Sequence, residues 1–177
     1  MSPSNPEILY LAVRQYKKQD NFNTMVAGGL FRTTDGANTW HKLITPNGVT
    51  AVWDVWLDNV AGKTDKIYIA CGSYNGKLNA KGGLFVADYK KEGNYTESDW
   101  QMLFDHPLCQ YVRVNEMNRE SILLATKRSS VNAYRNAGTY ITTTGGKAGN
   151  GSDWFKINAG RGSMETSSIA FDNKIPE

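Results

Sequence analysis

Apolar residues in this chain gather in short runs separated by polar, glycine-rich turns, and the runs recur in a fixed order. One class mixes polar and apolar positions: Val52–Asp58 (VWDVWLD), Tyr111–Met117 (YVRVNEM) and Ser167–Asp172 (SSIAFD). A second class is apolar at nearly every position: Glu7–Val13 (EILYLAV), Lys66–Cys71 (KIYIAC) and Ser121–Thr126 (SILLAT), with Ala12, Ala70 and Ala125 in equivalent places. These second runs are six or seven residues long, bounded by polar turns and rich in β-branched and aromatic residues. That length and composition predict strands rather than buried helices. Apolar character on both faces predicts strands covered from both sides. A glycine-led third run follows a loop (GGLFRTT, GGLFVAD, AGTYITT), and a tryptophan-led fourth run closes the unit (TWHKLI, DWQMLF, DWFKIN).

Four short strands per unit, recurring through the chain, predict an all-β repeat protein. Trp40, Trp100 and Trp154 lie 60 and 54 residues apart. Four-stranded units of this order are the signature of β-propeller blades, here with the excess length in loops. The expected fold is a β-propeller segment of three four-stranded blades, a single domain over 1–177. Its units are approximately 1–48, 49–107 and 108–162, with the first strand of a further unit in 163–177.

The turn between third and fourth strands of unit one reads Thr33-Thr34-Asp35-Gly36-Ala37-Asn38-Thr39-Trp40. Asp35 is placed to accept hydrogen bonds from backbone N–H groups of its own turn. Gly36 permits a positive φ. Trp40 is expected to plug the apolar space beneath the hairpin, its indole N–H finding one acceptor. The motif reads as a hairpin staple rather than a ligand site. Units two and three lack the central Asp-Gly but keep Asp99-Trp100 and Asp153-Trp154, a lengthened form of the same staple.

This pattern resembles the Asp-box (BNR) repeat superfamily, which includes sialidases, xyloglucanase-type glycoside hydrolases and sortilin-like receptors. Residues Ser2–Val13 (SPSNPEILYLAV) and Gly28–Trp40 (GGLFRTTDGANTW) look most like the xyloglucanase-like branch. The resemblance implies a propeller fold and an extracellular or periplasmic setting. It is silent on activity, because the superfamily spans enzymes, receptors and scaffolds. Where the xyloglucanase-like enzymes carry a catalytic Asp after a second strand, this chain has Arg14, Gly72 and Lys127, and the arginine motif of sialidases is missing.

The turn Asp172–Glu177 (DNKIPE) aligns with Ser2–Glu7 (SPSNPE), so the chain starts and stops at one point of the repeat. The expectation is either a fragment of a longer propeller or half of one completed by a second chain, through a partner propeller fragment or self-association, in which Ser167–Asp172 of one copy completes unit one of another and two chains close a six-bladed ring.

Composition narrows the functional classes. The net charge of +3 is small and its lysines and arginines are scattered, so neither nucleic acid nor membrane insertion is expected as a partner. No signal peptide is visible. Two cysteines are too few for a disulfide scaffold, although Cys71 and Cys109 fall at neighbouring strand ends. The two histidines belong to different units, no metal-ligand cluster is visible, and no cofactor is expected. Candidate ligand-binding residues lie on the loops after the second strands and on the joining loops: Tyr16, Trp53, Tyr74, Asn75, Arg128, Tyr134, Arg135 and Arg161. Aromatic, amide and guanidinium groups on scaffolded loops suit a glycan or a protein partner. Asp20, Asp54 and Glu165 are the acids on that face, and no spacing enforces the carboxylate pair a glycosidase needs. His106 and Cys109, three apart in an extended segment, face opposite sides. The reading is a non-catalytic binding module, with a part of a glycoside hydrolase and a structural assembly module as the alternatives.

Overall fold

The computed structural model describes residues 5–18, 21–60, 63–72, 81–127, 137–148, 151–158, 166 and 168–172. They form an all-β structure of three antiparallel sheets plus one two-stranded hairpin. Sheet one has the order β1 (Leu9–Val13), β4 (Gly29–Thr33), β5 (His41–Leu43). The hairpin β2 (Tyr16–Lys18) and β3 (Asn21–Val26) fills the connection between β1 and β4. Sheet two runs β6 (Val52–Val60), β7 (Lys63–Cys71), β8 (Gly83–Asp88), β9 (Gln101–Phe104). Sheet three runs β10 (Cys109–Val114), β11 (Ile122–Thr126), β12 (Thr139–Thr142), β13 (Phe155–Lys156). Among the described residues no helix is long and apolar enough to cross a membrane.

The three sheets share one register. Leu11 pairs with Phe31, Ile69 with Phe85, and Leu124 with Tyr140. One residue along, Ala12 pairs with Leu30, Ala70 with Leu84, and Ala125 with Thr139. Side chains alternate between the faces of a strand, so these two rungs define two faces. Ile67, Ile69, Cys71 and Phe85 of sheet two join Leu30 and Leu43 of sheet one in one apolar core. Tyr68, Ala70, Leu84 and Val86 join Val112, Leu124 and Tyr140 of sheet three in the other. Residues 67–71 of β7 are therefore buried whichever way they point, which is why that run is apolar throughout. We call the face carrying Leu11, Ile69 and Leu124 the leading face, and the opposite one the trailing face.

Neighbouring chain segments approach closely at strand ends within sheets one and two. A Cβ on Gly82 would lie 2.2 Å from the His106 carbonyl oxygen, and one on Gly28 only 2.0 Å from that of Val13. Only glycine fits at such approaches.

Three sequence expectations change. Trp40 does not plug its own hairpin and is 38% exposed. Trp100 and Trp154 are buried, but beneath a neighbouring sheet. The Trp100 indole N–H donates to the Ile44 carbonyl at 3.0 Å, and that of Trp154 donates to the Leu103 carbonyl at 3.1 Å. Each tryptophan thus reaches the outer strand of the sheet before its own, and among the described residues no sheet stands in that place for Trp40. The fourth strand of unit one is shorter than TWHKLI, covering only His41–Leu43. The described part of Ser167–Asp172 forms no strand, although its exposure alternates, with Ile169 and Phe171 half-buried between exposed Ser168, Ala170 and Asp172. Sheet one accordingly has three strands, with β1 at its edge.

Candidate functional site

Arg14 and Gln15 after β1 and Gly72 at the end of β7 meet the joining segment before β6 at one end of the sheets. There β6 carries a bulge: Val52 pairs with Cys71 and Asp54 with Ala70, leaving Trp53 as the extra residue. A bulge re-aims the side chain it carries. The Trp53 indole N–H donates to the Gly72 carbonyl at 2.8 Å, which fixes the ring. The Arg14 guanidinium lies over that ring, 4.7 Å from its centroid, within cation–π range. The neighbouring Gln15 amide donates to Thr50 Oγ1 at 2.9 Å, anchoring the Arg14 segment to the joining loop. Tyr16, 53% exposed on β2, follows directly in sequence. Sheet three has its bulge at the corresponding place, with Gln110 as the extra residue between the Cys109–Thr126 and Tyr111–Ala125 pairs. Among the described residues such an aromatic platform is built on sheet two alone.

Trp53 and Tyr16 are the candidate binding residues that fall within the described structure. Tyr74, Asn75, Arg128, Tyr134, Arg135 and Arg161 lie outside the described residues, as do Asp20 and Glu165.

Asp54 does not stand free. Its Oδ2 accepts the Val112 N–H at 3.0 Å and an Arg113 N–H at 2.5 Å, and the Arg113 guanidinium packs 4.9 Å from the Trp56 ring centroid. Burial raises the Asp54 carboxyl above its ordinary value, against the pull of these donors. The carboxylate ties β6 to β10. His106 and Cys109 do not form a dyad: His106 Nδ1 lies 3.1 Å from the Leu108 N–H, and Cys109 is fully buried. Cys71 and Cys109 are free buried thiols, and burial pushes both well above the ordinary thiol range. A thiol held protonated in apolar surroundings is inert.

The hairpin staples keep their carboxylates but use them in three ways. Asp35 Oδ1 accepts the Thr39 N–H at 2.9 Å, and its two oxygens accept the Thr33 and Thr39 hydroxyls, both at 2.6 Å. Gly36 has φ +68°, as expected, and Ala37 adopts φ +75° beside it. Asp99 accepts the Thr96 N–H at 2.6 Å and Lys90 Nζ at 2.7 Å. In the third turn Thr144 donates its hydroxyl to Asp153 at 2.6 Å. These bonds lie within the turns, so the three carboxylates are structural.

One cluster escaped the sequence reading. At the opposite end from Trp53, a cleft of about 380 Å³ opens between sheets two and three, lined among others by Asp58, Asp65, Tyr68, Arg119, Glu120 and Lys147. Asp58 is 1% exposed. Arg119 Nε lies 3.0 Å from Asp58 Oδ1, out of line for a directed hydrogen bond, while its Nη1 donates to Asp65 Oδ2 at 2.7 Å. Burial raises the Asp58 carboxyl, with Arg119 opposing and Asp65 reinforcing the shift. Burial and then Asp58 push the Tyr68 phenol up to about 12. In the sequence Asp58 closes a strand-like run and Arg119 sits in a polar turn, with nothing linking them. Among the described residues no group of three or more His, Cys, Asp or Glu could hold a metal ion.

No protein-family model matches the chain, and no curated protein matches it either.

Proposed function

We propose that this chain is an Asp-box repeat module of β-propeller type that binds a glycan at its Trp53 end without catalysing a reaction. The observation that carries the reading is the Trp53 platform: a ring displaced by a bulge, fixed through its indole N–H to Gly72, and backed by the Arg14 guanidinium. A rigid aromatic face beside a guanidinium suits stacking against a sugar ring and bonding to its hydroxyls. The ion pair of Asp54 with Arg113 supports a binding rather than a catalytic role, because it holds this carboxylate in a structural link. The alternatives are a protein ligand on the same loops, a share in a glycoside hydrolase, and a structural assembly module. Under this reading the setting is extracellular or periplasmic.

The test is a panel of soluble β-glucan and xyloglucan oligosaccharides titrated against the protein by calorimetry, with product analysis alongside. Saturable binding without hydrolysis, weakened at least tenfold by Trp53→Ala, is the expected result. Hydrolysis that disappears in Asp54→Ala would replace this reading with the glycosidase. Binding that Trp53→Ala leaves unchanged would remove the platform from it.

A further inference from the structure

The faces between the sheets are built from the same rungs, and this exposes two that lack a neighbour. The leading rung Ile69–Phe85–Met102 of sheet two packs against sheet one, and Leu124–Tyr140 of sheet three packs against sheet two. The equivalent rung of sheet one is Leu11–Phe31–Lys42. Here Leu11 is 46% exposed, Phe31 is half-buried, and Trp40 stands free where Trp100 and Trp154 are inserted. The trailing face shows the converse. Leu43 and Leu103 are buried under the following sheet, while Ile157, which follows Trp154 as they follow Trp40 and Trp100, is 57% exposed. Among the described residues the chain therefore carries both halves of one interface, each without a covering sheet.

A strand edge accompanies these faces. In sheets two and three an inner strand lies beside the second one: β6 pairs with β7, and β10 with β11. In sheet one the corresponding edge of β1 has no strand beside it among the described residues. Residues 168–172 have the alternating exposure of a strand with one covered face. They begin near the trailing face of sheet three, where Thr166 Oγ1 lies 2.6 Å from Thr139 Oγ1.

We propose that two copies of this chain associate head to tail, the leading face of sheet one in each docking on the trailing face of sheet three in the other. Leu11, Phe31 and Trp40 of one copy meet the Ile157 region of its partner. Residues 168–172 of the partner add to the free edge of β1, in the place that β10 takes beside β11. A head-to-tail contact either closes or propagates, and two copies related by a two-fold axis close it. The occupant is argued from continuity with the two interfaces already inside the chain: the partner offers the same kind of face that sheets one and two offer their followers. The proposal is independent of ligand binding at Trp53, so a dimer that binds no glycan leaves it intact.

Light scattering on a sizing column tests it, using the full chain, Leu11→Arg, Ile157→Arg, and an equimolar mixture of the two variants. Both substitutions fall on exposed side chains, and far-UV circular dichroism verifies that the sheets persist. The full chain should run at twice the 19.7 kDa of one copy, and each variant alone at 19.7 kDa. The mixture should recover the doubled mass, because an intact leading face from one variant meets an intact trailing face from the other. Should a charged variant misfold, Trp40→Ala supplies the same test by shifting the full chain's dimer–monomer balance toward monomer. A monomeric full chain overturns the proposal. Open-ended polymers overturn closure by two copies, and a mixture that stays monomeric overturns the head-to-tail register.

Discussion

At the residue scale, a short polar side chain closes each hairpin, and its chemistry gives a pH signature. Asp35 is held at about 2, below its ordinary 3.8, first by the Thr33 hydroxyl and then by the Thr39 hydroxyl and N–H. A carboxylate with a depressed folded pKa stabilises the fold above its unfolded value, and that contribution fades as pH falls through the folded one. Asp35→Ala should therefore lower Tm at neutral pH, with the gap to the unsubstituted protein narrowing from 3.8 down to about 2. Thermal melts of both proteins across that range check the sign. Asp99, also held at about 2, has Lys90 as its first cause, so its contribution should weaken more in high salt than that of Asp35. The same melts in added salt test this. Asp35 was legible in the sequence because an Asx turn needs only local spacing. Asp58 was not, since its partner Arg119 comes from another sheet and only the packing of sheets two and three brings them together.

At the element scale, the tryptophans serve different contacts although they lead equivalent strands. Trp100 and Trp154 each fill a core and satisfy their indole N–H on a neighbouring strand. Replacing either with alanine should cost about 3–5 kcal/mol, as large-to-small changes at buried aromatics do. Trp40→Ala removes a side chain without such a pocket in the single chain and should cost under about 1 kcal/mol in the monomer. Urea unfolding of the three variants, each made in the Leu11→Arg background, distinguishes these values. Most strands of sheets two and three and the doubly covered β7 were readable from the apolar runs, because a strand's two faces leave a direct mark on composition. Which sheet each tryptophan serves was not readable. The repeat pattern shows that a Trp begins the fourth strand, but the direction of its ring depends on how one sheet stacks on the next. The same limit applied to the Trp53 end. Trp53 could be singled out as an aromatic at a strand start, whereas the bulge that turns it and the Arg14 stacked on it come from sheet geometry.

At the scale of the whole molecule, sheets two and three are held by apolar packing around a buried charge, and that charge should make their union pH-dependent. Asp58 sits in the seam with Arg119 as its nearest cation, and Arg119 also reaches Asp65. Burial raises the Asp58 carboxyl above its unfolded value, so the folded state holds its proton more tightly than the unfolded chain does. By linkage, this group's contribution is most favourable at acid pH and is lost as pH rises through the folded pKa. Arg119 limits that loss, so Arg119→Met should destabilise most at neutral pH, by about 1–3 kcal/mol for a buried group left without its partner. The partial exposure of Arg119 keeps the effect below that of a fully buried pair. The penalty should shrink as pH falls and Asp58 takes up its proton, since a neutral carboxyl no longer needs the cation. Adding Asp58→Asn to Arg119→Met should recover most of the stability at neutral pH, because the buried charge is then gone. A penalty for Arg119→Met that is flat between pH 4 and pH 7, or that Asp58→Asn fails to relieve, would mean that Arg119 supports the seam through its contact with Asp65 and its aliphatic stem alone.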